Sequence, residues 1–461
     1  MSSFSPSGLL ASIQRHLPAD ASGKLCVAFS GGLDSTVLLG ALTIAVRDEP
    51  YYRLRAIHID HQLHEHSPQW HQHCAQFALS AGIPLVLERV SVALDSDEGV
   101  EASARAVRYE AFRNLLEPGE TLLTAHHADD QLETVLLALM RSAGVHGLAA
   151  MPVCQRLGQG WHLRPLLGFT HAELEAWGRA EQLSWITDPS NDNRHFNRNY
   201  LRHEVIPALQ RRWPGAAHSA VRSAGHLAEA GGLLDAIAAT DLAGAAAGPC
   251  LRVAALVSLD EPRRRNLMRY WLRTRGARPP STRKLLALEH DMLEAQEDRL
   301  PCVDWDGFEV RRYRGLLYGG AQLPLSDVPE IPRDWTQDWE WSAALELPGG
   351  LGVLYAQTGE GAGLSLSKLP RRLRVSFRQG GEALRPAGQA HHRKLKKLLQ
   401  DADILPWRRS HLPLIHVGDE LAAVGDLWIA EEFVAHAGEA SMKLVWEGRP
   451  QVTALQPPGV T

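Results

Sequence analysis

The sequence predicts an α/β N-terminal domain with a parallel sheet, a helical middle domain and a small α+β C-terminal domain. Three observations predict this. Short apolar runs alternate with helix-period stretches up to residue 215, alanine and leucine dominate from residue 216, and short apolar runs return after residue 340. Strands that alternate with helices indicate βαβ units, in which helices cover both faces of a parallel sheet.

The first domain is defined by its predicted elements. Strands are predicted at 25–29, 54–59, 83–87 and 121–125, and helices at 35–45, 67–81 and 99–116. Because short buried strands resemble buried helices in their pattern, glycine and proline positions carry much of this assignment.

Composition shifts predict the remaining boundaries. The first domain spans 1–215, and a helical domain follows at 216–325. An acidic linker rich in Pro and Trp is predicted at 326–345, an α+β domain at 346–447 and a disordered tail at 448–461.

Composition also narrows the class of protein. With 461 residues, 45% of them hydrophobic and 22% charged, the chain is typical of a folded multidomain protein. It shows no apolar run of about 18 residues and no signal pattern at its N-terminus, so we expect a cytoplasmic protein without membrane association. The five cysteines form no Cys-x-x-Cys pair, which argues against a zinc ribbon, a cysteine-ligated cluster or a disulfide framework.

The charge is unevenly distributed. A net charge of −5 argues weakly against nucleic-acid binding. Segment 261–290, however, has nine basic residues against two acidic ones, and segment 371–410 has eleven against three. These two segments are candidate nucleic-acid contacts, although a solvated helix face is the alternative for each.

A glycine-rich loop gives the strongest functional signal. It lies between the first predicted strand and helix and consists of Ser30, Gly31, Gly32, Leu33, Asp34 and Ser35. Glycines allow close backbone approach, and free N–H groups at a helix start attract phosphates. Asp34 would repel a bare phosphate, which suggests an intervening Mg²⁺. The alternative is a tight turn in which serine and aspartate cap the helix.

Polar residues follow two further strands. His58, Asp60 and His61 end the second strand, where ligands of parallel sheets bind. With His64, His66, His71 and His73 they form a histidine-rich stretch, for which surface or helix-facing histidines are a plainer interpretation than a metal site. After the fourth strand, His126, Asp130 and Glu133 are spaced to share one helix face. Those carboxylates could hold Mg²⁺ or an amine, or accept a proton; complementing the helix N-terminus is the alternative.

Two sets of arginines complete the candidates. Arg105 and Arg108 could reach a phosphate, although a solvated helix face is equally compatible. Arg194, Arg198 and Arg202 would form a basic stripe about 12 Å long if helical, suited to an RNA backbone or a catalytic face.

The loop resembles the pyrophosphate loop (PP-loop) of the N-type ATP pyrophosphatases, whose nucleotide-hydrolase fold is a parallel-sheet α/β domain. Together with the His-His-x-Asp-Asp-Gln-x-Glu-Thr segment at 126–134 and the Asp-Pro-Ser-Asn and Arg-Asn-x-x-Arg segments at 188–202, the sequence resembles the tRNA(Ile)-lysidine synthetase family. Segments 377–386 and 391–408 look like the C-terminal domain of that family, whereas the middle domain shows no matching motif.

The resemblance implies ligation of free L-lysine to C2 of the wobble cytidine in the CAU anticodon of tRNA(Ile). ATP would adenylate the cytidine O2 with release of pyrophosphate, and the lysine ε-amine would then displace AMP. It implies that Ser30–Ser35, His58 and Asp60 bind ATP, Asp34 and Asp130 hold Mg²⁺, and Arg105 stabilises the α-phosphate. Asp130 and Glu133 would bind lysine.

The tRNA contacts implied by the resemblance lie in two regions. They are Arg194, Arg198, Arg202, Arg385, His391, His392, Arg393, Lys394, Lys396 and Lys397. A homodimer is left open.

Three other functions are alternatives, and each makes a different demand on the sequence. A tRNA thiolase with the same loop would generally need paired cysteines, and a glutamine-using synthetase would need a catalytic cysteine in a glutaminase unit. A nucleotide-sensing RNA-binding protein would not need the acid-rich helix.

Overall fold

This computed structural model describes residues 4–61, 67–91, 100–187, 194, 196–295, 299–320, 332 and 334–449. The chain forms two compact units, 1–233 and 234–461. No helix within the described ranges is long and apolar enough to cross a membrane. The Asp-Pro-Ser-Asn segment, His64, His66 and most of the predicted tail lie outside the described residues.

The first unit is a parallel sheet with flanking helices. Its strands are β1 Lys24–Ala28, β2 Arg53–Asp60, β3 Leu85–Arg89, β4 Thr121–Leu123, β5 Cys154–Leu157 and β6 Gly160–Leu163. Its helices are α1 Pro6–His16, α2 Leu33–Ala45, α3 Ser67–Ala81, α4 Val100–Leu115, α5 Ala128–Met140, α6 Val145–Leu148, α7 His171–Ala180, α8 Asn197–Tyr200 and α9 Ile206–Arg212, with a π-helical turn at Leu201–Val205. The predicted α/β fold is confirmed.

The strand order is β3-β2-β1-β4-β6-β5, and only β5 runs antiparallel to its neighbour β6. Alternate residues of the strands enter two different cores. Leu25 and Val27 lie in the core that contains Leu38 of α2. Cys26 and Leu122 face the opposite side, where Phe112 of α4 covers the sheet. Burial on both faces explains why the strands read as continuous apolar runs. The carboxyl ends of the parallel strands therefore share one edge, and the predicted ATP-binding loop follows one of these strand ends.

The first part of the second unit contains both helices and a sheet. Helix α10 Ala216–Ala245 leads into it, followed by α11 Val253–Ser258, α12 Glu261–Thr274 and α13 Thr282–Glu294. Five antiparallel strands, β7 Ala246–Ala247, β8 Cys250–Arg252, β9 Cys302–Trp305, β10 Phe308–Tyr313 and β11 Leu316–Gly320, pair in the order β7-β8-β11-β10-β9. The predicted helices are present. The sheet was not predicted, because its strands are short and two of them continue from helical composition.

The C-terminal part is rich in strands, with one helix, α14 Leu395–Asp401. Its strands are β12 Thr336–Glu340, β13 Leu345–Glu346, β14 Val353–Glu360, β15 Leu364–Ser365, β16 Arg372–Phe377, β17 Ala383–Leu384, β18 Arg393–Lys394, β19 Pro413–Val417, β20 Glu420–Val424, β21 Trp428–Ile429 and β22 Ala440–Glu447. Two antiparallel sheets, β12-β16-β19-β20-β21 and β13-β14-β22-β15, enclose one core. Strand β12 lies inside the stretch predicted as the linker 326–345. Trp407 of this part packs against Tyr318 of β11.

Candidate active site

The glycine-rich loop connects β1 to α2. Gly31 has φ +82°, and a Cβ built there would lie 2.7 Å from Ile186 Cδ1 and 2.8 Å from Cys74 Sγ. The hydroxyl oxygens of Ser30 and Ser35 lie 3.0 Å apart. The residue before α2 is Gly32, so no side chain caps that helix. The capped-turn alternative lacks its cap, and the first N–H groups of α2 remain available to an anion.

Two carboxylates from different strand ends meet at one histidine. His127 Nε2 lies 3.7 Å from an oxygen of Asp34 and 3.4 Å from an oxygen of Asp130. Burial raises the pKa of Asp34, an effect that His127 and His171 oppose. Burial also disfavours the charged form of Asp130, but His127 and His126 hold the pKa of Asp130 below its usual value. The sequence-predicted pairing of Asp34 with Asp130 is present in space.

Helix α5 positions Asp130. The His127 side chain accepts a hydrogen bond from the Asp130 backbone N–H, at 3.4 Å, and the Asp130 carboxylate accepts one from the His127 backbone N–H, at 3.1 Å. This reciprocal cap satisfies two N–H groups at the helix start. It also fixes the carboxylate next to the carboxyl edge of the sheet.

Glu133 lies one helical turn further on and is 1% exposed. Burial raises its pKa, and the neighbouring Arg202 opposes that rise. The Arg202 guanidinium donates to both oxygens of Glu133, at 2.7 and 3.1 Å, and to Asp130, at 3.1 Å. Asp130 and Glu133 therefore form one anionic cluster with a single arginine between them.

The end of β2 is tied to the loop. His58 Nδ1 lies 2.9 Å from the carbonyl oxygen of Phe29, and burial lowers the His58 pKa. Asp60 is 8% exposed, with Arg89 Nε 4.0 Å from its carboxylate. Both predicted ATP residues thus lie at the carboxyl edge beside the loop.

The histidine-rich stretch does not form a metal centre in the described residues. No group of three or more His, Cys, Asp or Glu side chains there is arranged to hold a metal ion. His71 stacks edge-on against His58, with ring centroids 5.7 Å apart. The plainer interpretation, helix-facing histidines, agrees with this packing.

Arg105 is half-buried on α4 and lies over the ring of Tyr109, 5.0 Å from its centroid. Its charge makes a smaller contribution, after burial, to the lowering of the pKa values of His126 and His162. Arg108 similarly contributes to lowering the His61 pKa. Both arginines are partly exposed, so the phosphate role and the solvated-face alternative both stay open.

The predicted arginine stripe is wrong as a geometric feature. Arg194 precedes α8 and forms an ion pair with Glu204 at 2.5 Å. Arg198 donates to Thr134 Oγ1 at 3.3 Å, and Arg202 reaches the α5 carboxylates through the π-helical turn. The three side chains have three different partners instead of forming one basic row.

Part of the basic excess in 261–290 is neutralised inside the second unit. Arg263 pairs with Asp241, Arg264 with Glu289 at 2.7 Å, and Arg273 with Asp235 at 2.6 Å. Asp235 and Asp241 lie outside the segment that was counted. This segment is therefore a weaker candidate for phosphate contacts than its sequence suggested.

The C-terminal basic residues divide into two groups. Arg385 and His392 both lie near Glu432, at 3.0 and 3.6 Å, and Arg393 pairs with Asp401. His391, Lys394, Lys396 and Lys397 are exposed and have no ion pair within the described residues. The exposed lysines are the charges of this region that remain free for a phosphate backbone.

Sequence reasoning missed three residues at the same edge: Thr124, His162 and Arg164. His162 and Arg164 are 0% and 3% exposed. Burial lowers the pKa of His162 to about 2 and also lowers that of Arg164. A histidine and an arginine at the end of an apolar strand were the available signal.

Comparisons with known proteins agree with the fold. The chain matches a PP-loop domain at 9–209, a TilS substrate binding domain at 251–318 and a TilS substrate C-terminal domain at 373–446. It is 40% identical over 416 residues to the tRNA(Ile)-lysidine synthase of Coxiella burnetii, which covers 90% of this chain and 91% of that protein.

A second relative matches this chain over a similar length. The tRNA(Ile)-lysidine synthase of Alkalilimnicola ehrlichii is 42% identical over 431 residues, or 92% of this chain and 95% of that protein. Among solved structures, a U34-tRNA thiolase from Methanococcus maripaludis matches 48% of this chain and 78% of its own, at 16% identity and a TM-score of 0.39. On the two full-length relatives and the three domain matches, this chain belongs to the tRNA(Ile)-lysidine synthase family.

Proposed function

We propose that this chain ligates L-lysine to the wobble cytidine of the CAU anticodon of tRNA(Ile), with ATP converted to AMP and pyrophosphate. The observation that carries the proposal is the placement of Asp130 beside the same histidine as Asp34 of the phosphate loop, with Glu133 joined to Asp130 through Arg202. A loop that binds a nucleotide does not by itself need a buried acidic pair. An enzyme that must bring an amine to an activated carbon does.

The loop fits ATP. The uncapped start of α2 and the Ser30 and Ser35 hydroxyls would bind the β- and γ-phosphates. His58 and Asp60 lie at the end of β2, at the same carboxyl edge of the sheet. Arg105, on α4, would neutralise charge that develops at the α-phosphate.

Asp34 and Asp130 fit Mg²⁺. Asp34 Oδ1 is buried and has no hydrogen-bond partner among the described residues. Mg²⁺ in nucleotide sites is usually held by one or two carboxylates plus phosphates and water, which agrees with a site of two aspartates. The ion would supply charge neutralisation on the leaving pyrophosphate.

The first step joins the cytidine to the nucleotide. Cytidine O2 attacks the α-phosphorus of ATP, and the bond to pyrophosphate breaks. AMP is then attached through O2, which converts a poor leaving group into a good one. Positioning of the two reactants by the loop and Arg105 is the contribution of the protein to this step.

The second step forms the new C–N bond. Asp130 and Glu133 bind the lysine amines, and one of the two carboxylates takes the proton that the ε-ammonium must lose. The ε-nitrogen attacks C2, and AMP leaves with O2. Arg202 favours the charged forms of both carboxylates, and at Glu133 it opposes the burial that raises the pKa.

Exposed basic residues in the C-terminal part would bind the tRNA. The reaction would take place in the cytoplasm, where the tRNA substrate occurs. Lys394, Lys396 and Lys397 provide phosphate contacts, which position a nucleic acid without reading its sequence. Discrimination against other tRNAs with the same anticodon letters then needs contacts away from the anticodon.

Incubation of the full chain with ATP, labelled lysine and bulk tRNA tests the proposal. Label should enter one tRNA species, with one AMP formed per lysine incorporated. Formation of AMP without lysine in the tRNA would overturn the assignment of lysine as the nucleophile. Asp130→Asn should abolish incorporation while the circular dichroism spectrum stays unchanged.

A further inference from the structure

A buried polar chain lies behind the active-site edge of the sheet. It links Arg164, His162, Thr124 and His126, which belong to or directly follow the neighbouring strands β4 and β6. The two strands are parallel, with Leu122 opposite His162. Residues two apart on a strand face the same side, so Thr124 and His162 meet beneath the edge.

The hydrogen bonds of this chain are continuous. Arg164 Nη2 lies 3.2 Å from His162 Nδ1. His162 Nε2 and His126 Nδ1 both lie 2.8 Å from Thr124 Oγ1. The other end is anchored, because Arg164 Nη1 donates to the carbonyl oxygen of Pro152 at 2.6 Å.

Elementary donor counting fixes every proton in the chain. An arginine guanidinium can only donate, so His162 Nδ1 must be an acceptor. His162 therefore carries its proton on Nε2 and donates it to Thr124 Oγ1. The Thr124 hydroxyl has two lone pairs and one proton. Among the described residues its hydrogen-bond neighbours are His162 Nε2, which donates to it, and His126 Nδ1, so its proton goes to His126 Nδ1. His126 is left with its proton on Nε2.

Electrostatics agrees with neutral rings throughout. Burial, assisted by Arg164, lowers the pKa of His162 to about 2. Burial lowers the pKa of His126 to about 3, although the nearby Asp130 opposes the shift. Neither ring carries a second proton at neutral pH, so each has one donor and one acceptor.

The remaining polar atom of His126 belongs to the active site. Nε2 has no hydrogen-bond partner within the described residues, and the charged groups that act on the ring include Asp130, Arg105 and Arg198. An N–H in these surroundings can donate to a substrate oxygen, but it cannot accept a proton.

We propose that Arg164, His162 and Thr124 are positioning residues that hold His126 as the Nε2–H tautomer, so that His126 acts as a hydrogen-bond donor to a substrate oxygen. His126 is then excluded as the base that deprotonates lysine, which leaves that task to a carboxylate. The role in the reaction rests on the proposed function, whereas the tautomer itself does not.

Nitrogen NMR of the full chain, labelled with ¹⁵N-histidine, tests the tautomer without any substrate. The spectrum of His126→Asn identifies the His126 signals. We expect a protonated Nε2 and an unprotonated Nδ1 for His126 at neutral pH. A proton on Nδ1 would overturn the proposal even in a chain that makes lysidine.

Two variants of Thr124 test the chain. Thr124→Ser keeps the hydroxyl and should keep the His126 tautomer, whereas Thr124→Val keeps the shape, removes the hydroxyl and should give a mixture of tautomers. An unchanged tautomer in Thr124→Val would show that the chain does not control His126.

The same pair tests the effect on the reaction. Loss of a supporting hydrogen bond behind a functional histidine reduces activity by about 10–100-fold. We expect a fall of that size in kcat for Thr124→Val, little change in KM for lysine, and recovery in Thr124→Ser. A rise in KM for lysine with unchanged kcat would contradict a donor role in the reaction. Absence of lysidine from the wild-type chain would instead refute the proposed function and leave the NMR result standing.

Discussion

Arg202 donates to both carboxylate oxygens of Glu133, with Nε 2.7 Å and Nη2 3.1 Å from its acceptors. Nη2 also reaches Asp130 Oδ1 at 3.1 Å. An arginine has five N–H donors, and the two on Nη1 have no acceptor within the described part of the chain. On the proposed function, the two carboxylates would bind the ammonium groups of lysine and the remaining edge of the arginine its carboxylate.

Glu133→Gln should weaken lysine binding. A hydrogen bond to a charged group is worth about 1.5–3 kcal/mol, so KM for lysine should rise roughly 10–100-fold. Pyrophosphate release from ATP and tRNA in the absence of lysine should persist. Steady-state kinetics with lysine varied, together with a pyrophosphate assay, measures both effects.

The matched control for that change is Glu175→Gln. Glu175 pairs with the exposed Arg179 on α7. Its replacement by glutamine should leave both measurements unchanged. Equal loss of pyrophosphate release and lysine incorporation in Glu133→Gln would assign Glu133 to the first step instead of to lysine binding.

Gly31→Ala should disable the phosphate loop. Alanine at this position would have to adopt φ +82°. Its Cβ would lie 2.8 Å from Cys74 Sγ and 2.7 Å from Ile186 Cδ1. Isothermal titration should show ATP affinity reduced by at least about 10-fold, since 1.4 kcal/mol corresponds to that factor and left-handed strain alone costs about 1–2 kcal/mol.

Gly82→Ala is the control that separates the effect of backbone strain from the effect of close side-chain contacts. Gly82 has φ +68°, but nothing lies within 4 Å of its added Cβ. It should lower thermal stability slightly and leave ATP binding intact. If both alanine variants bind ATP like the wild type, close packing beneath the loop is not needed for nucleotide binding.

The sequence predicted the catalytic edge because its signals are local. Each motif follows a strand, and parallel strands end at one edge, so Asp34 and Asp130 had to approach each other. Their shared neighbour His127 and the cap of α5 were likewise within one motif. This part of the site needed no knowledge of distant contacts.

The remaining features depend on contacts between distant residues. The partners of Arg202 are 69 and 72 positions away, and a π-helical turn changes the helical register on which the stripe prediction relied. Thr124 and His162 are 38 positions apart and meet only through strand pairing. The charge excess of 261–290 was overestimated because Asp235 and Asp241 lie outside the segment.

Replacement of Lys394, Lys396 and Lys397 by glutamine should weaken tRNA binding in a salt-dependent way. Each lost phosphate contact lowers the slope of log K against log salt by about 0.7–0.9. The triple variant should therefore show a slope smaller by up to about 2–3, measured by filter binding over a range of salt concentrations. At saturating tRNA, lysine incorporation should recover.

A charge-matched control lies in the same domain. Arg372 and Arg374 are paired with Glu340 and Asp419, at 3.1 and 3.4 Å. Replacing both by glutamine removes basic charge without removing a free cation, and the salt slope should change less per charge than in the lysine variant. Equal slopes per charge removed would show that net charge, and not the lysine surface, determines affinity.

Glu439 should give the C-terminal part a stability that depends on pH. Its carboxylate accepts hydrogen bonds from Ser365, from Ser367 at 2.8 Å and from the His436 backbone N–H at 3.0 Å, which lower its pKa to about 2. Because the folded-state pKa lies below the ordinary value of 4.5, the stabilisation is complete above about pH 4.5 and disappears as the pH falls towards 2. Glu439→Gln should therefore unfold at a lower temperature than the wild type at pH 6, and in calorimetry the difference should shrink below pH 4.5 and vanish as the pH approaches 2. Exposed Glu447 on β22 is the control, because Glu447→Gln should unfold at the same temperature as the wild type at every pH. A difference in unfolding temperature between Glu439→Gln and the wild type that stays constant with pH would show that the charge of the carboxylate does not matter.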